Sequence, residues 1–180
     1  MYTIRNCHVQ TNALLASYHK KRNFTKTPEP KGGKLKKSKA AIFVIHEHHA
    51  SQLHYDLRLE MQGILKSWAL PKGIPNELNE KHLAILTEAH PLEYANFAGT
   101  IPQGQYGGGK VKIWDKGTFE NLSHNKANNS KGIVEAFNDG HILFCLYGHK
   151  IKRKSFVLQK FKADKDKKWL IFKVQNEPAE

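Results

Sequence analysis

From Leu53 to Glu60 apolar and polar side chains alternate: Leu53, Tyr55, Leu57 and Leu59 form one set, and His54, Asp56, Arg58 and Glu60 the other. A period of two is the mark of a strand with two unlike faces. On a helix, steps of two residues would scatter His54, Asp56 and Arg58 around the axis. On a strand they stand in one row at ~6.6 Å intervals. The apolar row is expected to anchor a core, while the opposite row presents an imidazole, a carboxylate and a guanidinium on one surface.

Similar runs recur on both sides. Ala41 to Ile45 is rich in β-formers and leads into His46 and His48, with a short loop before Leu53. Gly63 stands where a hairpin would turn, and Ile64 to Leu70 reads as the returning strand, broken by Pro71-Lys72-Gly73. Leu83 to His90 reads as another strand with Glu88 and His90 on one face, and Pro91 keeps His90 extended. Val111 to Trp114, Ile133 to Phe137, His141 to Tyr147, Ser155 to Lys160 and Trp169 to Val174 have the same character. Turn-rich or charged segments separate them at 121–131, 138–140 and 163–168.

The expected fold is mainly β: a single antiparallel β-barrel-like domain of about eight strands, with a β-rich core over 41–175. Residues 1–40 read as an arm and linker. A short amphipathic helix is expected there, capped by Asn12 with Leu14, Leu15 and Tyr18 inward, before Pro28 and Pro30 stop regular structure. Lys31 to Lys39 is glycine-rich, basic and without periodicity, so it reads as a linker; Lys36 and Lys37 are candidate phosphate contacts, or simply solvated charges.

Composition adds a partner class. Over 180 residues, 29 Lys and Arg oppose 16 Asp and Glu, a formal charge of +13. Such a balance suits a polyanion, although a basic surface can also serve solubility alone. Hydrophobic residues make up 39% of the chain, enough for one core and short for two domains. Cys7 and Cys145 are far apart and outside any metal spacing, and no run approaches a membrane span. A soluble cytoplasmic monomer without membrane contact is expected.

The candidate chemistry gathers on the polar row. His48, His54 and Asp56 form a ligand set of two imidazoles and a carboxylate that suits a divalent metal, with manganese plausible beside zinc. Arg58, one step along, can grip two phosphate oxygens or pair with Glu60. His46-Glu-His-His-Ala50 lacks the second histidine that a metalloprotease helix needs. Gly104 to Lys110 is followed by Val111 and a strand instead of the Ser/Thr and helix of a phosphate loop, so its glycines are expected to form a tight turn or to allow close backbone approach.

Four extended segments, His48 to Glu60, Leu65 to Gly73, Glu88 to Tyr94 and Gly99 to Gly109, resemble the 3'-phosphoesterase domain of bacterial DNA ligase D in order and spacing. The resemblance runs from Arg22 to Lys173. It implies a β-barrel-like, manganese-dependent enzyme, zinc or cobalt being other candidate ions, that heals DNA or RNA 3' ends on a primer-template duplex. In that family a terminal ribonucleoside is removed and the remaining 3'-phosphate is hydrolysed to a 3'-OH. By the resemblance His48, His54 and Asp56 are metal ligands, and Arg58, His90 and Tyr94 surround the scissile phosphate. Arg22, Glu29, Lys72 and Glu88 fall on further functional positions, and His82 on a phosphate-contact position.

Three residues depart from the pattern: Asn23 stands where Asp is usual, His46 where Gln is usual and His82 where Arg is usual. The first removes a carboxylate acceptor and the last a permanent cation, which puts the balance of the two reactions in doubt. With no ligase or polymerase module in the chain, a free-standing member working beside a separately encoded ligase and polymerase is expected. The competing readings are a non-catalytic basic nucleic-acid-binding barrel with a structural histidine cluster, and a small-molecule metal phosphodiesterase.

Overall fold

A computed structural model describes residues 13–33, 40–125, 127–161 and 167–175. Asn12, Lys36 and Lys37, with the capping and phosphate roles expected of them, lie outside the described residues.

Ten strands run in chain order: β1 (Ile42–His49), β2 (Leu53–Met61), β3 (Ile64–Leu70), β4 (Lys81–Leu86), β5 (His90–Pro91), β6 (Gly99–Ile101), β7 (Gly109–Asn121), β8 (His141–Gly148), β9 (Arg153–Lys160) and β10 (Lys168–Val174). Eight of them close an antiparallel barrel in the order β1-β2-β3-β4-β10-β9-β8-β7, with β7 pairing back to β1. The short β5 and β6 are additions on β3 and β7. The β2–β3 hairpin turns on Gln62 and Gly63, both at positive φ (53° and 76°), as a two-residue turn of the primed type requires.

All eight barrel strands feed one apolar cluster, including Phe43, Ile45, Leu57, Leu59, Trp68, Ile142, Phe156, Trp169 and Ile171, which fills the lumen. A second cluster lies outside the wall made by β1, β3 and β7. There Val44, Ile64, Leu65 and Val111 are covered by Leu15 and Tyr18 of the arm and by Tyr94, Ala95, Phe97 and Ile101. Tyr94 belongs to a single 3-10 turn, Leu92–Asn96. The wall is therefore buried on both faces, and the site lies between wall and cover.

A bulge on β7 makes this possible. His46 pairs with Ile113 and Ile45 with Asp115, leaving Trp114 as the extra residue. The insertion reverses the alternation: Val111 and Ile113 pack in the outer cluster, whereas Phe119 points into the lumen.

Three expectations are corrected. Ile133 to Phe137 is no strand but part of helix α2 (Ile133–Asn138), which follows α1 (Ala16–Lys20) in the chain. Its run of apolar residues carries no decisive period, and tertiary packing selects the helix, on which Ile133, Ala136 and Phe137 share a face. Phe137 stacks on Trp169 with ring centroids 5.6 Å apart. The strand expected from Leu83 to His90 breaks at Leu86, and His90 joins β3 separately opposite Leu65. Leu53, expected in the core, is half exposed at the open end of β2.

Candidate active site

The polar row of β2 is a covered surface: Asp56 and Arg58 are only 6% and 3% exposed. Antiparallel pairing sets His48 of β1 opposite His54 and His46 opposite Asp56. The expected histidines and carboxylate thus meet across two strands, and one candidate ligand atom from each of His48, His54 and Asp56 lies within 4.8 Å of the others.

Backbone carbonyls set the state of both rings. Nε2–H of His48 donates to the Gly107 carbonyl at 2.9 Å, and Nδ1–H of His54 to the Gln52 carbonyl at 3.0 Å. A carbonyl only accepts, so these nitrogens are the donors, which leaves the other nitrogen of each ring for a ligand. Those nitrogens face the two oxygens of Asp56 at 3.7 Å, too far for a hydrogen bond. Two imidazole nitrogens and a carboxylate converging in this manner fit a divalent metal. Gly107 is at φ 75°, a left-handed conformation that glycine adopts without strain, and this turns its carbonyl to His48. The glycine-rich loop is thus a turn with close backbone approach, as expected.

Arg58 is the hub beside this set. It donates from Nη2 to Asp56 Oδ2 (3.1 Å), from Nη1 to Ser67 Oγ (2.9 Å) and from Nε to His46 Nδ1 (3.2 Å). Burial alone would raise the Asp56 pKa, but Arg58 and the two histidines outweigh it and pull it down to about 2. His46 is pushed down to about 3 by burial and by Arg58, so it is a neutral ring whose Nε2–H donates to the Phe97 carbonyl at 3.1 Å. Donor at one end and acceptor at the other is also what a glutamine amide offers, so this departure keeps the hydrogen-bonding pattern.

His90 lies between Arg22 and Arg58, with its Nε2 3.2 Å from Arg22 Nη2 and its Nδ1 2.9 Å from both the Glu88 carbonyl and Arg58 Nη1. Arginine only donates, so each ring nitrogen faces a donor, and the Glu88 carbonyl at Nδ1 is the acceptor beside them. Burial and the two guanidiniums hold its pKa well below the usual histidine value.

The arm completes the site. Arg22 donates from Nε to Glu29 Oε1 (2.9 Å) and from Nη1 to Glu88 Oε1 (3.0 Å), and lies over the Tyr18 ring at 3.8 Å. Glu29 also accepts from the Tyr94 hydroxyl at 3.0 Å and from Thr27 Oγ1 at 2.9 Å. Burial holds the Tyr94 pKa well above its ordinary value, so the phenol stays a donor. Residues 13–33, expected as an arm, are thus part of the site.

A cavity of about 220 Å³ is lined by Arg22, Glu29, His48, His54, Asp56, Arg58, Glu88, His90 and Tyr94. Every candidate catalytic or metal residue is therefore brought together. Lys72 and His82 are not among the lining residues: Lys72 is exposed, and His82 bonds the Gly73 carbonyl and Glu80. Asn23 does not line the cavity either; its Oδ1 accepts from Thr25 N and Oγ1, which braces a turn of the arm.

Tyr106, Thr87 and Ser67 were not singled out by the sequence reading. Tyr106 lines the cavity mouth, where Lys21 Nζ reaches both its hydroxyl (3.1 Å) and Glu88 Oε2 (3.0 Å). An aromatic next to the turn glycines was its one visible signal.

A family model described as the DNA Ligase D 3'-phosphoesterase domain matches residues 46–160. The chain belongs to the DNA ligase D 3'-phosphoesterase family. It is 40% identical over 167 residues to the multifunctional non-homologous end joining protein LigD of Pseudomonas aeruginosa, a match covering 92% of this chain and 19% of that protein. It is 41% identical over 168 residues to the multifunctional non-homologous end joining DNA repair protein LigD of Mycobacterium tuberculosis, covering 91% and 20%. The corresponding protein of Mycolicibacterium smegmatis is 38% identical over 164 residues. The chain thus spans about a fifth of the length of these relatives. Within the phosphoesterase family match lie His48, His54, Asp56, Arg58, His90 and Tyr94, whereas Arg22 and Glu29 precede it.

Proposed function

We propose that this phosphoesterase-family chain is a metal-dependent 3'-end-healing hydrolase. It removes a 3'-terminal ribonucleoside as a phosphodiesterase and then the 3'-phosphate as a phosphomonoesterase, leaving a ligatable 3'-OH. Its substrates are DNA or RNA 3' ends in a primer-template duplex, and it works as a monomer in the cytoplasm beside ligase and polymerase activities of end joining. The single observation that carries this reading is the juxtaposition, in one cavity, of the His48-His54-Asp56 donor set with the guanidiniums of Arg58 and Arg22.

Manganese is the proposed ion, with zinc and cobalt as the other candidates; bound there it polarises a phosphate oxygen and lowers the pKa of water. His48, His54 and Asp56 would hold it, with both imidazoles already oriented by Gly107 and Gln52. Arg58 and Arg22 bind the phosphate oxygens and stabilise developing negative charge. Lys21, Arg22 and Arg58 face Asp56, Glu29 and Glu88, so the protein charges balance, and a divalent cation would leave the site near neutral with a 3'-phosphate dianion and one charge positive with a diester monoanion.

His90 is held neutral between Arg22 and Arg58, so it positions the two guanidiniums, and the proton for the leaving oxygen comes from water. Tyr94 and Glu29 hold the arm closed over the phosphate. Lys72 and His82, outside the cavity, contact the flanking duplex, and Lys36 and Lys37 track its backbone.

The test is a primer-template with a single 3'-terminal ribonucleotide, incubated with manganese with and without chelator, the product being resolved as 3'-phosphate or 3'-OH. Metal-dependent product is expected, and no product with any divalent ion overturns the reading. A non-catalytic barrel would bind the same duplex and leave its end intact.

A further inference from the structure

On the opposite face of the strands that carry the ligand set lies a second surface. Tyr55 sits between His54 and Asp56 on β2, and Glu47 between His46 and His48 on β1, so both point away from the cavity. Beside them stands Trp114, the extra residue of the β7 bulge. The Tyr55 and Trp114 rings meet edge to face with centroids 5.8 Å apart, and both are partly exposed at the rim of the lumen core.

Cations frame this aromatic pair. Lys150 Nζ lies 5.0 Å from the centre of the Trp114 ring. Its loop is rigid for a reason visible in the structure: the buried Asp115 carboxylate accepts the backbone N–H groups of His149, Lys150 and Ile151 at 2.8, 3.1 and 2.9 Å. Asp115 adjoins the bulge, so one irregularity places both the ring and the loop that carries its cation. Lys112 lies on the other side, half exposed, with Nζ 3.8 Å from Glu47. Glu47 is the one carboxylate of the group, and His49 holds its Oε1 at 2.5 Å.

We infer that Trp114, Tyr55, Lys112 and Lys150 form a stacking platform for unpaired nucleotides of the nucleic acid whose 3' end enters the cavity. A partly exposed aromatic pair with ammonium groups beside it fits bases and their phosphates together. A duplex keeps its bases stacked inside, so the occupant is a single-stranded segment. The route is short: Ala50, on the turn between β1 and β2, lines the cavity, and His49 just before it belongs to the second surface. This inference rests on the nucleic-acid reading of the cavity, yet concerns residues outside it.

Trp114 supplies its own probe. Of the three tryptophans, Trp68 and Trp169 are 0% and 1% exposed, so a solute in contact with the surface quenches Trp114 first. The full chain is titrated with a deoxythymidine oligonucleotide lacking any ribonucleotide, without metal, while tryptophan emission and the anisotropy of a labelled oligonucleotide are followed together. Saturable quenching that tracks the anisotropy is expected. Trp114→Ala should raise the dissociation constant about tenfold, the loss of roughly one base stack, and Lys150→Ala should weaken binding and flatten its salt dependence by about one ion. Emission of Trp68 and Trp169 and the thermal midpoint verify folding of both variants. Binding without quenching, no binding, or folded variants that bind like the wild type would each overturn the platform. End processing that persists without quenching leaves the proposed function standing; quenching without end processing leaves only the platform.

Discussion

Arg58 Nε donates to Nδ1 of His46 at 3.2 Å, both groups being buried. His46 is therefore the bracket that fixes the guanidinium plane, with its opposite nitrogen anchored on Phe97. His46→Gln can reproduce both bonds and should keep end-processing activity within about threefold. His46→Leu leaves Arg58 Nε and the Phe97 carbonyl without partners, at a cost of about 1–3 kcal/mol for each buried group. Thermal unfolding and steady-state rates of the two variants separate these outcomes; equal defects would remove the bracket from the account.

The same ring makes stability depend on pH. His46 titrates at about 3 in the folded chain and near ~6.5 when unfolded. Between these values the unfolded state binds the additional proton, so stability falls as pH is lowered from about 6.5, by at most ~1.4 kcal/mol per unit for this group. His90, also held neutral, acts in the same direction. Asp56, pulled down to about 2, adds a further loss only below ~3.9. Denaturant unfolding at pH 7 and pH 5 should show wild type losing more than His46→Gln; identical losses would contradict a buried neutral His46.

Metal binding should be readable as stability. An ion that binds only the folded chain contributes about 2.7 kcal/mol at a hundred times its dissociation constant, or roughly 5–10 °C in melting midpoint for a domain of this size. Manganese should raise the midpoint of wild type, chelator should reverse the rise, and His48→Ala or His54→Ala should abolish it. A rise retained in both variants would place the ion elsewhere.

The arm is held by charge as well as by packing. Arg22→Lys keeps the charge but cannot reach Glu29, Glu88 and His90 together, and Arg22→Ala leaves two carboxylates buried beside an empty position. Arg22→Ala should destabilise by about 3–5 kcal/mol, and both variants should expose residues 13–33 to faster hydrogen exchange. Unchanged exchange would mean that Leu15 and Tyr18 hold the arm by apolar packing alone.

At the mouth, Tyr106→Phe removes the hydroxyl that meets Lys21 Nζ at 3.1 Å while keeping the ring. The bond is exposed, so stability should change by less than about 1 kcal/mol, and the effect should fall on KM for the nucleic-acid end more than on kcat. A pure kcat loss would move Tyr106 from the mouth to the chemistry.

The sequence by itself determined most of the barrel. Of the nine apolar runs it offers, all but Ile133 to Phe137 contain or become barrel strands, because period-two alternation and turn residues such as Gly63 act locally. It also determined the ligand types and, through His54, Asp56 and Arg58 on one face, their common row. The tertiary structure decided what lies over that row. Antiparallel register brought His48 across to His54, and the β7 bulge turned Val111 and Phe119 to opposite sides. Arg22 and Glu29 reached the cavity from a segment whose prolines and lysines give no periodic signal. Such pairings join groups far apart in the chain, and their free energy comes from burial and charge compensation that exist only once the barrel has closed.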